Sequence, residues 1–277
     1  MFRLAVARFP PAAIPDLHMS MHRLLASAGS WIDRIKINEL ARVTRDGGAF
    51  WVKRRRPGAG AIISLGNAFF RLAGNHVVIL GRDAEWHAWE HESSSLLHGT
   101  AGATQVDNTG RLWLPEFPGR SLSSHIEDDT AEGPIFAAAA RELRRAHEFY
   151  SPTMGAPWSH GDPHSGNFIY DPATDTAKLM DFEVRHDSTL SAAERHADDL
   201  LVFLQDTLGR LTRERWIEFS EIFVREYGRP EITRYLIERL IEPRGPARLW
   251  WAVRTTYLAP GEIRTRLAAL RSVLAPG

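Results

Sequence analysis

The stretch Trp158-Ser159-His160-Gly161-Asp162-Pro163-His164-Ser165-Gly166-Asn167-Phe168-Ile169-Tyr170, followed by Ala177-Lys178-Leu179-Met180-Asp181-Phe182-Glu183, decides how the rest of the chain is read. Its first half is a polar loop that runs into an apolar segment. Its second half is a short apolar strand that delivers Asp181 at its end. Between them, Asp171-Pro172-Ala173-Thr174-Asp175 carries the residue types that reverse a chain. The pattern predicts a hairpin that brings Asp162, Asn167 and Asp181 to one end.

Those three side chains suit phosphoryl transfer. A carboxylate accepts the proton of an attacking hydroxyl, while an amide oxygen and a second carboxylate are hard oxygen ligands of the kind magnesium takes. In its pattern H-G-D-x-H-x-x-N followed by D-F, the chain resembles the small-molecule and bacterial branch of the protein-kinase-like superfamily. That branch includes aminoglycoside phosphotransferases, lipopolysaccharide sugar kinases and the RIO and Bud32-like kinases. The resemblance implies Asp162 as catalytic base, Asn167 and Asp181 as metal ligands, and His160 and His164 as supporting residues, with His160 bracing the loop. ATP and Mg2+ follow from the same likeness. Two departures from protein kinases, Pro163-His164 after the aspartate and Glu183 after Asp-Phe, favour the small-molecule branch and argue against a switch that needs a flexible glycine there.

Plainer readings compete. A His-Gly-Asp tripeptide alone is a common turn. His160, Asp162 and His164, alternate residues on an extended segment, would point one way and serve a metal-dependent hydrolase, but that reading leaves Asn167 and Asp181 without a role. A catalytically idle nucleotide-binding scaffold and a protein Ser/Thr kinase would each account for part of the pattern as well.

Composition sets bounds on all of them. At 277 residues, 44% hydrophobic and 25% charged, the sequence has the balance of a folded globular protein of one large domain or two tightly packed lobes. Thirty-four basic and thirty-four acidic residues give zero formal net charge, so bulk electrostatics predicts no nucleic-acid partner. With no cysteine, disulfides, thiol catalysis and cysteine-bound metal are excluded. Lys36, Lys53 and Lys178 are the only lysines, against thirty-one arginines, a bias that a GC-rich bacterial genome produces. The N-terminus, interrupted by Arg8, Pro10 and Pro11, reads as a surface arm rather than a secretory signal. No window holds the roughly 18 uninterrupted apolar residues of a membrane span. The expectation is a cytoplasmic protein with, at most, peripheral contact at the inner membrane.

From Trp31 to Arg56 the pattern turns to strands, with Ile35, Ile37, Leu40 and Val43, a turn at Asp46-Gly47-Gly48, then Ala49-Phe50-Trp51-Val52-Lys53. Asp-Gly between two such runs signals a hairpin. Lys53 resembles the kinase lysine that pairs the nucleotide phosphates; a solvated strand lysine is the ordinary reading of such a residue. No G-x-G-x-x-G precedes it, and the phosphate-covering loop is placed either around Ala28-Gly29-Ser30 or at the Gly47-Gly48 turn.

Ile62 to Leu72 and Arg82 to Leu97 read as helices, the second carrying Trp86 and Trp89 as core residues. The resemblance calls for a glutamate on that second helix to pair Lys53. Glu85, Glu90 and Glu92 are available, and Glu90 is preferred for its heptad relation to Leu97. Arg111 to Leu122 reads as a strand running into a Pro-Gly turn, similar to the kinase hinge, where backbone near Glu116 and Phe117 would bind adenine. Pro134 to Tyr150 and Ser191 to Leu208 read as helices, the latter with a Ser cap and a Glu three residues on; the resemblance gives Asp199 a loop-supporting part. Arg213 to Gly277 reads as helices broken at Gly228-Arg229-Pro230, Pro243-Arg244-Gly245-Pro246 and Pro260-Gly261. The fold class expected is α+β, a two-lobed protein-kinase-like fold with a β-rich nucleotide-binding N-lobe over 1–117 and a helical C-lobe over 118–277. The expected partner is a hydroxyl-bearing small molecule or glycolipid.

Overall fold

The computed structural model describes residues 37–242, 244, 245, 247, 248, 251, 255 and 258–275. The N-terminal arm, the strand residue Ile35, the Ala28-Gly29-Ser30 loop, and Pro243 and Pro246 lie outside the described residues. The described chain is of the α+β class, an antiparallel sheet near the N-terminus followed by a mainly helical part.

Strands β1 (Asn38–Arg45) and β2 (Gly48–Arg55) form the expected hairpin. Asp46 and Gly47 both take positive φ, 52° and 78°, as the tight two-residue turn that matches strand twist requires. β2 pairs on its other side with β5 (Leu112–Pro115), which pairs with β4 (Gln105–Val106), giving a sheet of order β1-β2-β5-β4. Helix α1 (Ala59–Leu72) leaves β2 after Gly58, and β3 (Val77–Ile79) leads into α2 (Asp83–Gly102).

The strand expected to run from Arg111 into a Pro-Gly turn ends at Pro115, ahead of Pro118-Gly119. A two-residue strand β6 (Arg120–Ser121) follows, and Leu122 already begins the short helix α3 (Leu122–Glu127), capped by the Ser121 hydroxyl. At Gly119 a side chain is sterically impossible. Its φ is 107°, and an added Cβ would lie 2.0 Å from the Tyr170 carbonyl oxygen. β6 therefore lies directly against the backbone at Tyr170.

The expected Pro134 to Tyr150 helix is α4 (Gly133–Ala146), and it ends four residues early. The chain there turns into the strand pair β7 (Tyr150–Ser151) and β8 (Ala156–Pro157), and the Phe149 carbonyl accepts from the Trp158 N–H at 2.8 Å. β9 (Phe168–Asp171) and β10 (Thr176–Leu179) form the hairpin anticipated around Asp171 to Asp175. β11 (Val184–His186) then pairs antiparallel with β3. Neither three-residue strand is visible in the sequence, yet their pairing ties the segment after Asp181 to the segment before α2.

The last part is helical. α5 (Ala192–Leu208) opens with a complete Ser191–Glu194 capping box. α6 (Arg213–Tyr227) ends on left-handed Gly228, and α7 (Pro230–Arg239) restarts at proline, as the Gly-Arg-Pro break predicts. The break expected at Pro260-Gly261 falls in the same way, Pro260 being the first residue of α8 (Pro260–Leu274), a position where its missing N–H costs nothing.

One continuous core joins these parts. Trp86 and Trp89 are fully buried, as their helical spacing predicts, and Trp89 stacks on buried Trp158 at 6.3 Å between ring centroids. Trp158 also meets Phe182 edge-on at 5.8 Å and donates its indole N–H to the Ser93 hydroxyl at 3.0 Å. Replacing Trp158 by Ala leaves a cavity at the meeting point of α2, the loop at 158–167 and the Asp181 segment. We expect a loss of about 3 kcal/mol or more, read as a lower urea midpoint with an unchanged denaturant slope.

Candidate functional site

The loop that begins at Trp158 owes its shape to one carboxylate. Asp199, buried on α5, accepts the backbone N–H of His160 and of Gly161, each at 2.8 Å, and faces His147 Nε2 at 2.9 Å. Burial opposes its charge, but the histidines around it and these hydrogen bonds prevail and hold its pKa well below the ordinary carboxylate value. Gly161 has φ 87°, a conformation other residues enter at a cost, so the glycine is what lets both N–H groups converge on Asp199.

His160 is clamped by its neighbours. Nε2 lies 3.1 Å from the Met180 carbonyl and Nδ1 accepts the Asp162 N–H at 3.3 Å, so Nε2 carries the proton of a neutral ring. Burial lowers its pKa, which keeps it neutral. Both nitrogens are committed inside the protein, which leaves the hydrolase trio of His160, Asp162 and His164 without one of its ligands. Among the described residues no group of three His, Cys, Asp or Glu side chains is placed to hold a metal ion. His164 Nδ1 accepts the Gly166 N–H at 3.1 Å and caps the single turn Ser165–Asn167. Ser165 is anchored in turn to Asp206, whose importance the sequence does not signal.

Asn167, buried, donates its side-chain N–H to the Asp162 carbonyl at 2.9 Å, and its own carbonyl accepts from the Met180 N–H at 3.0 Å. The amide nitrogen being committed, the amide oxygen is the atom left to meet a cation. Asp181 has φ 69°. That left-handed conformation is uncommon outside glycine, and it persists where the surroundings overdetermine it.

Lys53 comes to this same place from the other side, buried at 5% exposure. Its ammonium contacts the carboxylates of Asp181 and Glu183 and lies 3.9 Å from Glu90 Oε2. The structure thus brings Glu90 to Lys53. Glu85 instead pairs with Arg82 on the surface, and Glu92 accepts from Ser151 and Thr153. Glu90 is fully buried, with the Trp86 indole N–H at 3.2 Å and the Phe182 N–H at 3.3 Å. Burial opposes the charge on Lys53, but the three carboxylates outweigh it and raise its pKa. Burial likewise works against the Asp181 anion, yet Lys53 holds that carboxyl down to about 2. Glu183 is pushed up to about 7 by burial, against the pull of Lys53. Glu90 is also raised by burial.

Glu183 and Arg55 are the members of the cluster that sequence reading does not assign. Glu183 meets Arg55 at 3.4 Å and accepts from Asn38, and Arg55 lies 4.2 Å over the Trp86 ring. The departure of Glu183 from the expected glycine is the available signal, though nothing in the sequence says that it reaches Lys53.

At the other edge of β2, the Glu116 N–H donates to the Ala49 carbonyl at 3.0 Å, and its carboxylate makes a two-pronged pair with Arg42 at 2.8 and 2.7 Å. That N–H belongs to the sheet. Phe117 packs edge-on to His98 at 4.6 Å. The Gly47-Gly48 turn stands away from Lys53 along the hairpin. β1 pairs Leu40 with Lys53 and Arg45 with Gly48, so that turn sits five residues up the strand, about 17 Å from Lys53.

The sequence matches no protein-family model and no curated protein.

Two outcomes follow from this arrangement. Asp199→Asn puts an amide where two backbone N–H groups and a histidine converge, and we expect it to cost about 2 kcal/mol or more in chemical denaturation. His196 stacks on His147 at 3.8 Å, and burial drives its pKa down to about 2. A histidine depressed in this way contributes stability above its unfolded value near 6.5 and loses it as pH falls toward the folded value. From pH 6.5 to 5 that loss is about 1.5 kcal/mol. Glu183 works in the opposite sense, gaining stability as pH falls from about 7 toward 4.5. The melting temperature of His196→Gln should therefore drop less steeply with acid than that of the native chain.

Proposed function

We propose that the chain is an ATP- and magnesium-dependent phosphotransferase with a two-lobed, protein-kinase-like architecture. It moves the γ-phosphoryl group to a hydroxyl of a sugar or other small or lipid-linked molecule. The observation that carries this reading is the convergence of buried Lys53, with Glu90 beside it, on Asp181 and on the loop that holds Asp162 and Asn167. Nucleophile activation, metal coordination and phosphate binding each have a residue of the right chemistry there, drawn from four separate stretches of chain.

The donor set of one amide oxygen, from Asn167, and one carboxylate, from Asp181, fits a hard divalent cation. When bound, magnesium would neutralise charge on the phosphate oxygens as the phosphoryl group moves. Lys53 supplies a compact positive charge to the α- and β-phosphates, with Glu90 fixing where its ammonium stands. Asp162 accepts the proton of the acceptor hydroxyl as that oxygen attacks the γ-phosphorus. The bond from the γ-phosphorus to the bridging oxygen breaks, and the electron pair leaves with ADP. Asp199, His160 and His164 hold the loop in shape and stay out of the reaction.

Binding is tested first, by thermal shift. Melting temperature should rise with the concentration of ATP plus magnesium, as expected for a ligand held by the folded state, and no rise at millimolar ligand would remove the cleft assignment. Asp162→Asn should bind nucleotide nearly as the native chain does and lose transfer, whereas Asp181→Asn should weaken magnesium-dependent binding. Equal turnover by the native chain and Asp162→Asn, measured over a panel of hydroxyl acceptors, would favour an idle nucleotide-binding scaffold.

Lys53→Arg distinguishes a phosphate-binding lysine from a packed one. A guanidinium is planar, larger and fixed in its donor directions, and a site lined by Asp181, Glu183 and Glu90 has room for a point charge. Transfer should fall by an amount equivalent to about 2 kcal/mol or more in transition-state stabilisation while the fold survives. Glu90→Gln should give a milder loss, and the double variant less than the sum. Native-like turnover in Lys53→Arg would sink the assignment of the ATP site.

A further inference from the structure

Helix α1 is apolar on both of its faces, and among the described residues only one of them is covered. On the inner face Ala59 and Ile63 are buried, Gly66 faces Ile79, and Asn67 clamps β3 by donating to the Ile79 carbonyl at 2.9 Å and accepting the Ile79 N–H at 2.8 Å. The helix is thus firmly seated. On the outer face Ile62, Leu65 and Leu72 are 40%, 74% and 66% exposed, with Ala61 and Ala68 exposed among them. Positions 61, 62, 65, 68 and 72 fall on one side of a helix, and none is charged. An amphipathic surface helix of a globular protein normally turns polar side chains to water on that side.

Along the sequence, the charges in and beside the helix have one sign. From Arg54 through Arg82 the sequence holds five arginines and no aspartate or glutamate, in a chain with thirty-four acids. Arg56 stands one turn before the helix, its carbonyl accepting the Ala59 N–H, and Arg71 lies in the last turn. Both are exposed, and neither forms an ion pair among the described residues.

We propose that the outer face of α1 is a membrane-docking surface that lies in the interface of an anionic bilayer, with Ile62, Leu65 and Leu72 in the acyl boundary and Arg56 and Arg71 on the headgroups. An apolar stripe flanked by arginine and free of acids is the chemistry that such a surface selects. A second copy of the chain fits less well, because a two-fold contact through this face would set arginine against arginine with no acid from this stretch between them. No helix among the described residues is long and apolar enough to cross a membrane, so the contact is peripheral. The surface stands apart from the nucleotide reading, and its test uses no nucleotide.

The full chain is floated with vesicles of equimolar phosphatidylcholine and phosphatidylglycerol, and with vesicles of phosphatidylcholine alone. The native protein should rise with the anionic vesicles, bind the neutral ones far less, and come off as salt is raised. The double variant Leu65→Glu, Leu72→Glu should bind anionic vesicles at least about tenfold more weakly while its melting temperature stays native, since both side chains are exposed. Should that variant fold poorly, Arg56→Gln with Arg71→Gln gives the second arm, with weaker binding and a shallower salt dependence expected. Failure of the native chain to bind anionic vesicles, or undiminished binding by both double variants, overturns the proposal. Concentration-dependent dimerisation that the leucine variant abolishes, with no vesicle binding, also overturns it in favour of a protein partner.

Discussion

The buried ammonium of Lys53 is the constraint on which the rest of the structure turns. A lone cation under the sheet would be costly, and here it is surrounded by Asp181, Glu183 and Glu90, with Arg55 adding a second positive charge against Glu183. Three carboxylates against two cations leave one negative charge in excess if all ionise. Burial pushes Glu183 up to about 7, and the neighbouring Asp181 charge acts in the same direction. An anionic ligand near Lys53 must contend with the same balance, and a divalent cation beside Asp181 would relieve it.

That cluster requires four distant segments to meet, and each is held by contacts of its own. The type I′ hairpin sets the register of β2 and so the direction of Lys53. The pairing of β3 with β11 ties Glu183 to the start of α2, and the stack of Trp89 on Trp158 joins α2 to the loop. Asp199 holds that loop from below through two backbone N–H groups. Buried polar groups that are hydrogen-bonded in this way specify a single arrangement more sharply than apolar packing does.

Much of this is legible in local residue types. Asp-Gly between β-rich runs sets the first hairpin, Asp-Pro-Ala-Thr-Asp the second, and Ser191 with Glu194 the start of α5, because turn and cap chemistry acts over a few neighbouring residues. The H-G-D-x-H-x-x-N pattern places Asp162 and Asn167 together for the same reason. Glu90 stands out by its helical face, and that face does reach Lys53. Element ends are less legible. α4 stops at Ala146, a few residues before the chain joins the β7–β8 pair, a pairing that leaves no local signal in the sequence.

By itself the sequence determined the hairpins, the helix caps, the tryptophans of the core and the set of acids and amide that make the candidate site. Only the tertiary structure decided that Glu183 and Arg55 join Lys53, that Glu116 gives its N–H to the sheet, that the Gly47-Gly48 turn points away, and that α1 keeps an apolar face in the open. The reason is range. Turn and capping preferences are written within about four residues of where they act, whereas a salt bridge between positions 53 and 183, or a three-residue strand pairing across a hundred residues, leaves no periodicity in the chain. Those contacts exist because burial forces every charge and backbone group to find a partner, and which partner is at hand is settled only once the chain has closed around it.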